Sequence, residues 1–148
     1  MKTDVAVESD IPALCTLLDS LFSQEVEFKS YYETQARGLK CVIENETVGD
    51  ILVARSDGEV IGMINLLYTI STAMGARVGI LEDMVISAQH RGMGVGSTLI
   101  KYALDYAEKN GCKRMTLLTD DDNNGAHKFY QKHGFTRSSM VVFRKPIE

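Results

Sequence analysis

The chain has 148 residues and a formal net charge of −4, with 45% apolar and 24% charged residues. Those values suit a single globular domain spanning residues 1–148, able to bury roughly 68–70% of its unfolded surface. The negative balance leaves no global electrostatic case for nucleic acid or a membrane surface as partner, and no apolar run reaches the roughly 18 residues that a bilayer span requires.

Cys15, Cys41 and Cys112 are odd in number, far apart and without a C-x-x-C pair, which argues against a disulfide framework or zinc site and for a reducing compartment. His90, His127 and His133 lack metal-ligand spacing, so no metal is expected. Lys2 and Asp4 interrupt the stretch in which a signal peptide would carry its apolar core. A cytoplasmic location is the expectation.

In chain order, residues 2–8 alternate as a first strand. Ser9, Asp10, Ile11 and Pro12 then supply a capping side chain and an early proline, and Leu14, Leu17, Leu18, Leu21 and Phe22 follow at helical spacing. Ser30, Tyr31, Tyr32 and Glu33 form a capping box for a second helix running through Leu39 and Ile43. Residues 51–54 and 60–70 flank Asp57-Gly58, a strong hairpin signal. A long strand over 78–86 leads into a glycine-rich loop. An amphipathic helix follows from Val95, with Asn110-Gly111 as its C-cap. Residues 114–119 form a strand, 124–133 a short helix and 136–144 a final strand. The order β-α-α-β-β-β-α-β-α-β fits an α/β (α+β) mixed, mostly antiparallel central sheet with helices on both faces.

The loop carries the most information. It reads QHRGMGVGS over residues 89–97, with Gly92, Gly94 and Gly96 at every second position. Glycine leaves no Cβ between its amide and a ligand, and a helix starting there offers unpaired N–H groups and the positive end of its dipole to a phosphate. Neither the dinucleotide fingerprint nor the P-loop fits, because the run is G-x-G-x-G and no Lys precedes Ser97. The pattern Q/R-x-x-G-x-G/A does fit and resembles the acetyl-CoA loop of the GNAT acyltransferase superfamily. A second segment, NNGAHKFYQKHGF over residues 123–135, resembles the N-x-x-A-x-x-F-Y-x-K-x-G-F stretch of the same superfamily. The resemblance covers the chain well from about Asp50 onward, and the first 45 residues only through their pattern of elements.

The resemblance implies an acetyl-CoA-dependent N-acetyltransferase that moves an acetyl group to a primary amine of a small molecule or peptide by direct attack in a ternary complex. Positions carried over make Arg91, Gly92, Met93, Gly94, Val95, Gly96 and Ser97 the pyrophosphate cradle. The main-chain groups of Met84, Val85 and Ile86 become partners of the pantetheine arm and the oxyanion. Asn123 matches the asparagine that bonds the same arm, although helix N-cap is its rival role. Tyr130 matches the tyrosine that protonates the departing thiolate, and Arg91 also reads as a plain surface guanidinium. Leu81-Glu82-Asp83 resembles a short stretch of the diamine N-acetyltransferases, which makes Glu82 the first choice of general base, directly or through a water. As strand neighbours, Glu82 and Asp83 are expected on opposite faces, so that only one faces the acceptor. Asp120, Asp121 and Asp122 read as a solvated loop before a helix. Homodimers are common in the superfamily. A catalytically inactive acyl-CoA-binding regulatory module is the alternative, with Tyr130 and Glu82 counting against it.

Overall fold

Asp57 and Gly58 both take positive φ, 51° and 79°. A two-residue turn with that geometry matches the right-handed twist of its flanking strands. It joins β2 (Gly49–Ser56) to β3 (Glu59–Ser71), and β4 (Ala76–Ile86) returns alongside β3. With β1 (Lys2–Val5) and β5 (Met115–Leu117), these make a five-stranded sheet in the order β1-β2-β3-β4-β5. All neighbours are antiparallel except β4 and β5, which run parallel. The structure is a computed structural model that describes residues 1–22 and 32–148, in two compact units, 1–118 and 119–148.

In the first unit, alternation along the strands sends side chains to two helical layers. Ile51, Val53, Met63 and Val85 join Leu14, Leu17 and Leu18 of α1 (Ile11–Phe22) and Leu39 and Val42 of α2 (Tyr32–Ile43) in one cluster. The opposite face meets α3 (Val95–Lys109), whose Leu99, Ile100 and Ala103 are fully buried. Gly62 of β3 permits that approach, since a Cβ there would lie 2.8 Å from Ile86 Cδ1 and 3.4 Å from Leu99. The capping residues Ser30 and Tyr31 lie outside the described residues.

The first strand stops at Val5 rather than at residue 8, because Asp10 draws the chain into a 3-10 turn over Glu8–Asp10. Its Oδ2 accepts the Val7 N–H at 2.8 Å, and Arg55 donates to both carboxylate oxygens at 2.8 Å. Asp10 is 9% exposed, and the guanidinium hydrogen bond holds its carboxyl below the usual carboxylate range.

The second unit holds α4 (Asn124–Lys132), and the strand expected over residues 136–144 is not among its elements. A strand is defined by its ladder, and no other strand lies within that unit to supply one.

Candidate active site

β4 ends at Ile86, and the chain takes a short 3-10 turn at Ala88–His90 before the glycine loop. Gly92 and Gly94 have φ of 77° and 82°, a region that side chains rarely adopt, and nothing lies within 4 Å of a Cβ built on either. The glycines are there for backbone conformation and for open space above it. Gly94 is the N-cap of α3 and offers no side chain to its first turn, so the amides of Val95 and Gly96 have neither an i−4 carbonyl nor a capping oxygen. Arg91 Nε donates to the Ile86 carbonyl at 3.2 Å, tying the loop to the strand end.

The strand leading into this loop changes character halfway. Its parallel ladder with β5 consists of Gly79, Ile80 and Leu81 opposite Met115, Thr116 and Leu117. Beyond Leu81, β4 runs on to Ile86 with β3 as its only strand partner among the described residues. The expected positions Met84, Val85 and Ile86 all lie in this one-sided part. Val85 is buried in the core cluster, so its main chain rather than its side chain is what the open edge presents.

A bulge marks the change. Leu81 faces Leu66 and Glu82 faces Asn65, but the next pairing is Met63 with Val85, so two β4 residues oppose Ile64 alone. Asp83, one of the two, has φ 50°. The bulge overturns the expectation that Glu82 and Asp83 point to opposite faces. Glu82 shares a face with its cross-strand partner Asn65, and Asn65 Nδ2 donates to Asp83 Oδ2 at 3.4 Å. Both carboxylates therefore stand on Asn65's side of the sheet, the side of Met63 and Leu67 and hence of α1 and α2. Glu82 is exposed and Asp83 half-buried. Asn65 carried no motif in the sequence, and only the bulge register brings it to the carboxylates.

In the second unit, Asn123 is the N-cap of α4, its Oδ1 accepting the Ala126 N–H at 3.1 Å, so the capping role foreseen for it is realised. Tyr130 sits two turns along the same helix, edge-on to Phe129 and Phe135 with ring centroids 5.3 and 5.8 Å away. Burial pushes its phenol above the ordinary tyrosine value, so it stays protonated at neutral pH. Asp120 and Asp121 have local partners: the Asp120 carbonyl meets His127 Nε2 at 2.9 Å and Asp121 pairs with Arg137. Among the described residues, no group of His, Cys, Asp and Glu is arranged to hold a metal ion.

A polar cleft of about 330 Å³ opens at the far end of α3, lined by Glu46, Thr47, Asp50, Arg77, Tyr106 and Asn110. Asp50, Arg77, Tyr106 and Asn110 are engaged with each other and with Tyr68. Tyr68 donates to Asp50 Oδ2 at 2.9 Å, Arg77 covers the Tyr68 ring at 4.5 Å and bonds the Asn110 carbonyl at 3.3 Å, and burial pushes Tyr106 up to about 12. At 1.5 Å per helical residue the cleft lies roughly 20 Å from the glycine loop, too far to share a reacting atom with it.

A glycine turn opening a helix, at the end of a strand whose last residues have a neighbouring strand on one side alone among the described residues, is the arrangement that the acyltransferase resemblance implies. The sequence model of the acetyltransferase (GNAT) family matches residues 11–135, and the chain belongs to that family. It is thereby an N-acetyltransferase, acting on an amine acceptor. It is 37% identical to YhfO, an uncharacterised N-acetyltransferase of Bacillus subtilis, over 96% of this chain and 94% of that protein. It is 26% identical to the aminoalkylphosphonate N-acetyltransferase of Salmonella typhimurium, over 90% of this chain and 83% of the relative. The fold matches the crystal structure of a ribosomal-protein-alanine N-acetyltransferase from Brucella melitensis with a TM-score of 0.78, at 19% identity and with 99% of each chain covered. No helix among the described residues is long and apolar enough to cross a membrane.

Proposed function

We propose that the chain acts as one catalytic domain that transfers the acetyl group of acetyl-CoA to a primary amine of a small molecule or peptide, by direct attack in a ternary complex. The observation that carries this reading is the continuity of the one-sided end of β4 with the glycine loop. An extended thioester arm needs an open strand edge, its pyrophosphate needs amides beyond that edge, and residues 82–97 supply both in sequence. Family membership supports the choice of donor.

Val95 and Gly96 present amides to the pyrophosphate. The Arg91–Ile86 bond occupies Nε, which leaves the two terminal guanidinium nitrogens for a charge-assisted contact with phosphate. Backbone groups of Met84, Val85 and Ile86 align the arm, one amide serving the oxyanion. Glu82 receives a proton from the acceptor ammonium, and its exposure gives that proton a route to water. The freed nitrogen attacks the thioester carbonyl, the C–N bond forms, the C–S bond breaks, and the Tyr130 phenol donates its proton to the leaving sulfur, while the second proton lost by the nitrogen as the amide forms passes to solvent and the tyrosinate takes one back from it. Arrival at the cytoplasmic amine pool completes the reading.

Thiol release from acetyl-CoA across a panel of primary amines tests the activity. Tyr130→Phe tests the mechanism, with single-turnover acetylation expected to slow about 10²–10⁴-fold while acetyl-CoA affinity stays near wild type. A wild-type single-turnover rate in Tyr130→Phe would make the ring a packing residue. Acetyl-CoA binding with no amine ever acetylated would favour a regulatory module.

A further inference from the structure

The β4 bulge gathers two local costs on one pair of side chains. Asp83 holds a left-handed backbone, φ 50°, which non-glycine residues adopt sparingly. Opposite it, Asn65 buries its Oδ1 with no hydrogen-bond partner while its Nδ2 reaches Asp83. Turning the amide over gives no relief, because the oxygen would then face a carboxylate and the two N–H donors would be left buried. Left-handed non-glycine residues and unsatisfied buried acceptors cluster at functional sites.

What this place presents is uniformly electron-rich: the Asn65 carbonyl, the Asp83 carboxylate and, on the same face, the Glu82 carboxylate. The complement is a cation rich in N–H donors. A primary ammonium has three. Once one proton has passed to Glu82, the neutral amine keeps two, one for Asn65 Oδ1 and one for Asp83.

We propose that Asn65 and Asp83 form the anchor for the acceptor's amino group, with Asn65 Oδ1 taking one N–H and Asp83, steadied by Asn65 Nδ2, taking the other. The assignment rests on the acetyl-transfer reading and adds to it the specificity residues for a primary amine. It also explains why a polar amide occupies a position flanked by Met63 and Leu67 on the α1 and α2 face.

The test pairs a binding readout with a kinetic one. In ¹⁵N-labelled wild-type protein, n-butylamine or an aminoalkylphosphonate shifts the Asn65 side-chain amide and the Asp83 backbone resonances. In Asn65→Leu, which keeps the shape and removes the unsatisfied oxygen, the acceptor KM rises about tenfold while kcat and the acetyl-CoA KM stay within about threefold. The melting temperature of that variant does not fall, because a buried acceptor without a donor has been removed. Asp83→Asn, whose side chain tolerates the left-handed backbone, gives the same split and serves if Asn65→Leu folds poorly. Wild-type acceptor KM in both variants, or saturating amine that leaves the Asn65 amide unmoved, would overturn the anchor. Amine binding at Asn65 without thiol release would support the anchor and sink the transfer reading instead.

Discussion

Along β4, residues 76–81 have β3 on one side and, from Gly79, β5 on the other, whereas residues 82–86 have β3 alone among the described residues. The first part is closely packed: a Cβ on Gly79 would lie 2.6 Å from the Met115 side chain and 3.0 Å from Leu66. The second carries the bulge, a left-handed aspartate, a carboxylate pair and the exit to the glycine loop. One strand thus divides its labour at Leu81. The comparison teaches that a strand edge with no strand beside it can serve a ligand, provided that the neighbouring stretch is packed well enough to hold the strand in place.

Substitutions on the two sides of Leu81 should therefore fail in different ways. The largest effect is expected from Glu82→Gln, with neutral-pH turnover down about 10²–10⁴-fold, unchanged acetyl-CoA affinity, and a loss that shrinks at high pH as the amine deprotonates unaided. Wild-type turnover throughout the pH range would move the proton to Asp83 or a water chain. Gly94→Val comes next. Nothing stands where its Cβ would go, so the damage is to the backbone, since a β-branched residue is a true outlier at φ 82°. Acetyl-CoA should bind about 10–100-fold more weakly by calorimetry, a cost of about 1.4–2.7 kcal/mol.

On the packed side, Gly79→Val should cost about 1–3 kcal/mol of stability through overpacking against Met115, read by denaturant unfolding. The acceptor KM should hold in the folded fraction. A large KM change there would blur the division at Leu81. The smallest effect concerns acid. Asp10 has a lowered carboxyl pKa in the folded state, so its stabilising contribution is full above the unfolded value near 4 and is lost as pH falls through the folded value. Asp10→Asn should remove that part of the acid dependence of Tm, while Glu82→Gln leaves it in place.

Much of this was legible in the sequence, for reasons that differ by region. The loop over 89–97 was readable because its glycines answer a local backbone demand that no other residue meets. The hairpin at Asp57-Gly58 and the start of α3 at Val95 were readable for the same reason. The bulge was not, because register belongs to a pair of strands, and nothing in Leu81-Glu82-Asp83 alone says that Ile64 will face two residues. Asn65 escaped notice with it. The Asp10–Arg55 clasp was invisible because its partners are 45 positions apart and each has a plausible local role, one as a cap and one as a strand cation. Asn123 had two readings that sequence alone left level, and the structure realises the capping one, while the cofactor role that the resemblance implies for it would use the same side chain.

The parallel pairing of β5 has a kinetic side. Gly79, Ile80 and Leu81 meet Met115, Thr116 and Leu117 only after the glycine loop has turned and α3 has crossed the sheet. Contacts that distant in sequence close late, and a three-residue ladder has few bonds to keep it shut. Thr116 and Leu117 should accordingly exchange their amide hydrogens ahead of the β2–β3 hairpin in the ligand-free protein. A ligand gripping the loop would slow that exchange from a distance, so occupancy at one end of α3 is recorded as protection at a strand that the ligand need not touch.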